Sequence, residues 1–258
     1  MAANIERRKE LYSLMPEGVI TTRQWLLQHD FSSHAIDNLV KSNQLEVVSR
    51  GIYVRNSSKI TWQSVVYSLQ INLKLDLIIG GLTALEMYGL SHYLSFSDTK
   101  TIHLYGSDTL PNWVANLVTD CKFVKHSAGL LKRKEGNELS TFINEKEWSD
   151  EGSKIRVSTP ERAYLEVLMD VPEKTTFEHA DQLMQSLTTM SPRSLQKLLE
   201  QSDNIKVKRL FLWFADRHNY VWLTKLDREK ITLGSGNRMI AKGGKLDNKY
   251  KITVPEWL

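Results

Sequence analysis

The chain has 258 residues, 41% hydrophobic and 25% charged, which excludes a disordered or fibrous protein and predicts about two domains with cores that need no metal or disulfide. No apolar run approaches the ~18 residues of a membrane span, and the charged start "MAANIERRKELYSLM" lacks the apolar centre of a secretory leader. A single cysteine, Cys121, excludes an internal disulfide and reads as a small core residue, so a cytoplasmic location is expected.

The net charge of +4 is unevenly laid out along the chain. Residues 1–60 carry 8 basic and 6 acidic side chains, residues 61–202 carry 14 and 18, and residues 203–258 carry 12 and 6. The basic excess therefore lies at the two ends, which suits anionic partners there.

"IERRKELYSLM" places Ile5, Leu11 and Leu14 or Met15 near one face, a first amphipathic helix ended by Pro16 and Gly18. Thr21 and Gln24 have the spacing of a capping box and open a second helix through Trp25 and Leu26. Ser32 or Ser33 caps a third helix whose apolar stripe is Ala35, Ile36, Leu39 and Val40. Its other face holds Ser33, His34, Asp37, Asn38 and Lys41, short hydrogen-bonding groups of a kind that reach base edges in a major groove. Two strands follow, with Leu45, Val47, Ile52 and Val54 on the inward side and Gly51 in the turn after Arg50.

Three helices and a hairpin make a winged helix-turn-helix, expected over residues 1–58. In that plan Ser33, His34, Asn38 and Lys41 reach bases or nearby phosphates, and Arg23, Arg50 and Arg55 contact phosphate. Asp37 would repel phosphate, and net +2 is a modest electrostatic footprint. A reader of such low charge needs two copies on its operator, or help from the basic C-terminal end.

Residues 59–258 predict a mixed domain, so the fold class is α+β. "ITWQSVVYSLQINL" is helical in period, "LDLIIGG" is a short buried strand, and "LTALEMYGL" is a brief helix closed by Gly89. "KTIHLYGS", "KFVKHSA", "LSTFINE" and "KIRVS" alternate as strands. Thr159, Pro160 and Glu161 open a further helix, and two more are expected at about 176–189 and 192–201.

The chemistry of an enzyme is not visible in this region. The histidines at 29, 34, 92, 103, 126, 179 and 218 form no zinc pattern, and no nucleophile elbow occurs. "NEKEWSDE" (144–151) lacks the ligand spacing of a calcium loop and is expected as a solvated connection. "KGGK" fails the phosphate-loop spacing, and Asp247-x-Lys249 has no upstream acid to make a nuclease. No catalytic residue, metal or cofactor is expected.

"NIKVKRLFLWFADRHNYVWL" has Val207, Leu210, Phe211 and Phe214 as its buried stripe. Lys206, Arg209, Trp213 and Arg217 fall on an adjacent stripe, either a cationic surface or a flank of the core. With Arg238, Lys242 and Lys245 of the glycine-rich tail they form the candidate anion-binding surface.

"GVITTRQWLLQHDFSSHAIDNLVKSNQLEVVSRGIYVR" resembles the N-terminal domain of the AbiEi family of bacterial antitoxins, whose wing reads "G-x-L…rGvYv". Asn43 stands where glycine is common, and asparagine also accepts the left-handed conformation at a helix end. "GGLTALEMYGL", "TPERAYLEVL", "VKRLFLWFAD" and "KGGKLDNKYKITVPEW" resemble later segments of the same family, in order.

The resemblance implies an antitoxin of a type IV toxin–antitoxin, abortive-infection system. Its winged helix would repress its own operon at double-stranded operator DNA with inverted repeats. Its C-terminal domain would counteract a nucleotidyltransferase toxin, functionally and without need of a stable complex. The alternative is a winged-helix regulator whose C-terminal domain senses a ligand or oligomerises.

Overall fold

The computed structural model describes residues 2–91, 99–117, 120–131, 139–150 and 152–258. It has the expected α+β architecture, a winged helix followed by a mixed-sheet domain with a helical layer.

In the winged helix, α1 (Ala2–Leu14) packs Leu11 against Met15, Trp25, Leu26, Phe31, Ile36, Leu39, Leu45 and Tyr53 in a small core. Ile5 lies outside the described side chains. α2 (Arg23–Gln28) follows β1 (Thr21–Thr22). Its cap is Thr22, one residue later than the capping-box spacing predicts: the Thr22 hydroxyl accepts from the Trp25 amide at 3.1 Å. α3 (Ser33–Lys41) is capped by Ser32, whose hydroxyl accepts from Ala35 N–H. Asn43 takes φ +53° and Gly51 φ +74°, so both left-handed positions are where the sequence places them.

The wing consists of β2 (Leu45–Ser49) and β3 (Ile52–Arg55), and β1 pairs with β3 to complete a three-stranded sheet ordered β1-β3-β2. Leu45, Ile52 and Val54 are buried as expected, but Val47 is 50% exposed. The register of the wing shifts just beyond it, between Val47 and Ser49.

Strand β3 is covered on both faces. Tyr53 belongs to the small core, while Ile52, with Ile20, belongs to the large one. The winged helix is therefore seated on the rest of the chain. α4 (Trp62–Tyr67) runs into a π-helical turn, Ser68–Asn72, which meets the Ile20 backbone. Ser68 Oγ accepts from Ile20 N–H at 2.8 Å, and Asn72 Nδ2 donates to Ile20 C=O at 3.2 Å. A Cβ on Gly18 would stand 2.4 Å from the Lys59 carbonyl oxygen, and φ there is +73°, so only glycine fits this approach.

The larger sheet contains β4 (Leu77–Ile79), β5 (Lys100–Gly106), β6 (Cys121–Ser127), β7 (Ile143–Glu147) and β8 (Lys154–Ser158), in the order β6-β5-β4-β8-β7. β5 and β6 run parallel, as do β4 and β8; β4–β5 and β7–β8 are antiparallel. Leu139–Phe142, expected as strand, is a short 3-10 turn, and the strand begins at Ile143. "NEKE" of the acidic run lies in β7 rather than in a loop; Glu151 and His92 lie outside the described residues. Cys121 is buried, as read.

α5 (Gly81–Met87) follows β4 and ends at Gly89, with φ +69°. α6 (Pro160–Met169) follows β8 with Thr159 as its cap. Two segments that are loose as sequence motifs, "GG" and "PER", meet here in one buried network. The Glu166 carboxylate accepts from Gly81 N–H at 3.0 Å, from Ser158 Oγ at 2.9 Å and from Arg162 Nε at 2.8 Å. Glu166 is 1% exposed, and each oxygen has a donor, which is what keeps an ionised carboxylate tolerable there. A Cβ on Gly80 would lie 2.2 Å from Glu166 Oε2, so the glycine admits the carboxylate.

α7 (Phe177–Ser186), α8 (Pro192–Gln201) and α9 (Ile205–His218) complete the helical layer, and the tail closes with a hairpin of β9 (Lys245–Asp247) and β10 (Ile252–Val254).

Candidate nucleic-acid interface

α3 turns Ile36 and Leu39 into the small core and leaves Ser33, His34, Asp37, Asn38 and Lys41 exposed. The 100° step of a helix separates these sets, so the apolar stripe anchors the helix while the polar residues project. Among the predicted base and phosphate contacts, Ser33, His34, Asn38 and Lys41 share this exposed face, and Arg50 is exposed in the wing turn.

Arg23 is differently placed. Its Nη1 donates to Asp37 Oδ1 at 2.9 Å and to Tyr53 Oη at 3.1 Å, bridging α2, α3 and the wing. The bond to Arg23 holds the Asp37 carboxyl below the usual carboxylate range. The Asp37 charge is thus matched within the protein. Arg23 is first a strut of the exposed α3 face.

Arg55 is also committed. Its guanidinium lies 4.0 Å from the Tyr12 ring centroid, and Nη1 donates to the Met15 carbonyl at 3.2 Å. It ties the wing to α1.

The C-terminal candidates divide more sharply. Arg209 is 1% exposed, so it is no surface residue. Its Nε donates to Leu233 C=O at 2.8 Å, and Nη1 donates to the carbonyls of Gly236 and Lys251 at 2.8 and 3.1 Å. Trp213 is core, packed edge-on against Phe177. Lys206 Nζ donates to the Met169 and Val171 carbonyls at 2.8 and 2.6 Å, closing the end of α6. Burial pushes the Lys206 and Arg209 pKa values down. The stripe that helical spacing draws is real, but Arg209 and Trp213 face inward, Lys206 is half-buried on carbonyls, and only Arg217 stays exposed.

Arg217 covers the Trp213 ring at 5.0 Å and pairs with Asp181. Arg238, Lys242 and Lys245 are exposed. Lys242 borders a cleft of about 820 Å³ between the start of α7 and the tail, with Met239 and Trp257 on its rim, 74% and 68% exposed. The sequence reading missed these two side chains; a lone Met and a terminal Trp have no periodicity to mark them.

Asp216 escaped it too. Burial opposes its charge, but hydrogen bonds from Arg228, Lys249 and Tyr250 outweigh that and hold the carboxyl at about 2. Lys249 is thereby accounted for, and Asp247 accepts the Tyr250 amide in the hairpin turn, so the D-x-K triplet is structural.

A chain of histidines crosses the sheet. His103 Nδ1 and His126 Nε2 are 2.8 Å apart, and His126 Nδ1 lies 3.2 Å from Asp170. Burial first, then His126, drives the His103 pKa down to about 4. Among the described residues, no group of three or more His, Cys, Asp or Glu is placed to hold a metal ion.

Comparison with known proteins agrees with this arrangement. Residues 4–96 match the family described as "Transcriptional regulator, AbiEi antitoxin N-terminal domain". Residues 99–255 match "Transcriptional regulator, AbiEi antitoxin, Type IV TA system". No curated protein matches. One similar solved structure is that of the RV2827C protein from Mycobacterium tuberculosis, with 15% sequence identity, a TM-score of 0.49, and coverage of 91% of this chain and 85% of that one. The two family matches take in nearly the whole chain between them, and the chain belongs to the AbiEi antitoxin family of type IV toxin–antitoxin transcriptional regulators.

Proposed function

We propose that the protein represses its own operon through α3 and relieves the toxicity of a nucleotidyltransferase through its C-terminal domain, acting in the cytoplasm and without catalysis of its own. The observation that carries the DNA half is the exposed row Ser33, His34, Asn38 and Lys41 on a helix anchored by Ile36 and Leu39. In the major groove, Asn38 pairs with a base edge and Lys41 and Arg50 meet phosphates. The functional division we favour is residues 1–58 for DNA and 59–258 for the antitoxic activity. What is left of the predicted C-terminal surface, Arg238, Lys242 and Lys245, is the antitoxic candidate.

Operator binding by full-length variants tests the first half. Asn38→Ala should relax base preference by ~1–3 kcal/mol, and Arg50→Ala should weaken all duplexes alike and reduce the salt slope by about 1. Equal loss by Asn38→Ala on operator and random duplex would defeat the reading. Co-expression with the toxin encoded beside it tests the second half: Asn38→Ala should still rescue growth, and Arg238→Ala/Lys242→Ala/Lys245→Ala should not.

A further inference from the structure

The tail leaves large apolar side chains in solvent: Met239, Leu246 and Trp257 are all exposed. Met239 and Trp257 rim the cleft of about 820 Å³, whose walls include Phe177, Ile240 and Pro255. A smaller depression of about 330 Å³, bordered by Arg238 and the start of α9, shares Lys206 with that cleft. The two therefore make one groove along the tail, and the larger part lies within the ~300–1,000 Å³ of ligand pockets.

The cations of this groove are free for a partner. Arg238, Lys242 and Lys251 are exposed, and among the described residues their side chains make no hydrogen bond or ion pair. Lys245 Nζ reaches only the Glu256 carbonyl, at 3.3 Å, which sets it beside Trp257. Under Arg238 lies Arg209, held by carbonyls alone; its Nη1 and the Arg238 N–H share the Lys251 carbonyl. Burial, and then the like charge of Arg238, lower the Arg209 pKa. Glu173, Glu256 and Asp203 border the groove as well, three acids against these five cations and Lys206. The excess calls for an anion.

Trp257 narrows the choice of anion. A nucleotide offers a π-face and a phosphate in one repeating unit, which suits a cationic groove with an exposed indole. A duplex keeps its base faces stacked on one another, and an acidic peptide brings its carboxylates without rings. We propose that the groove binds a single strand of nucleic acid, with a base stacked on Trp257 and phosphates at Lys242, Lys245 and Arg238. This deepens the antitoxic reading of those three cations, on which its role in the cell rests, by giving that surface a ligand. Duplex at α3 and single strand at the tail are then held at separate places.

Fluorescence anisotropy of full-length protein with labelled strands of about 12 nucleotides tests it. Oligouridylate and oligothymidylate are the RNA and DNA probes, and the tighter of the two identifies the source. An abasic strand of the same length should bind at least about tenfold more weakly. Trp257→Ala should weaken the base-bearing strands by about tenfold or more and leave the abasic strand unchanged, and Trp257→Phe should restore most of the loss. Lys242→Ala and Arg238→Ala should each reduce the salt slope by about 0.7. Saturating operator duplex should leave the single strand bound. No saturable binding up to about 100 μM, an abasic strand as tight as the others, equal competition by poly-L-glutamate, or complete displacement by operator duplex would each overturn the proposal. Co-expression with the toxin separates the two readings. Strand binding lost in Trp257→Ala with rescue intact keeps this site and breaks the antitoxic reading, whereas rescue by a wild-type protein that binds no strand does the reverse.

Discussion

Helix α3 sends His34, Asn38 and Lys41 into solvent from a segment of net charge only +2, whereas α9, in a segment of net +6, turns Lys206, Lys208 and Arg209 inward onto backbone carbonyls. Lys208 is 3% exposed, with Nζ on the Thr232 carbonyl. The two basic ends thus use charge in opposite ways. A charge count locates cations along a sequence; it does not say whether they face a partner. What decides is the local supply of acceptors, and the glycine-rich tail, with little regular structure between Thr232 and Lys245, has many carbonyls lacking a ladder partner.

The largest test of this contrast is Arg209→Met. Taking the side-chain donor from the carbonyls of Leu233 and Gly236, and one of the two donors from that of Lys251, should cost at least about 3 kcal/mol in urea unfolding. A loss below about 1 kcal/mol would mean that Arg209 is not the centre of the tail. Next is pH. The folded pKa of His103, about 4, lies below its unfolded value of 6.5. Its contribution is therefore full above pH 6.5 and lost as pH falls towards 4, by up to about 3 kcal/mol. His103→Gln should flatten that limb of the stability curve; an unchanged limb would place the titration elsewhere.

Asp216 is smaller. Its pKa is lowered from 3.8 to about 2, so its contribution is present above pH 3.8 and lost as pH falls through 2. Asp216→Asn should cost about 2 kcal/mol at pH 7, with the deficit against wild type closing between pH 4 and 2. At the opposite end, Asn38→Ala should change unfolding by no more than ~0.5 kcal/mol, because its side chain is exposed. A large destabilisation there would erase the distinction between the two ends.

The winged helix was legible because its signals are local. Ser32 as a cap, Asn43 and Gly51 at left-handed positions, and the Ile36–Leu39 stripe all act within a few residues. The same holds for Thr159 and Pro160 at the start of α6. Strand order and the Glu166 network were not legible, since Gly81 and Glu166 meet across 85 residues. The α9 stripe stayed open between surface and core flank for a related reason: period shows which residues share a face, but only the tail loops determine whether that face is covered. Arg23 and Arg55 show this on a small scale. Their basic character promised phosphate, while Asp37 and Tyr12, distant in sequence, hold them in the protein.

The seating of Ile20 and Ile52 in the large core bears on how the chain is made. During synthesis the winged helix leaves the ribosome first, with those two side chains uncovered. Their cover, α4 and the Ser68–Asn72 turn, comes from the next stretch of chain. At ~5–20 residues per second the gap after Arg55 lasts roughly one to three seconds. A ribosome stalled just beyond the wing would expose a nearly finished winged helix with an adhesive flank, so nascent chains of this protein should recruit chaperones most strongly in that brief interval.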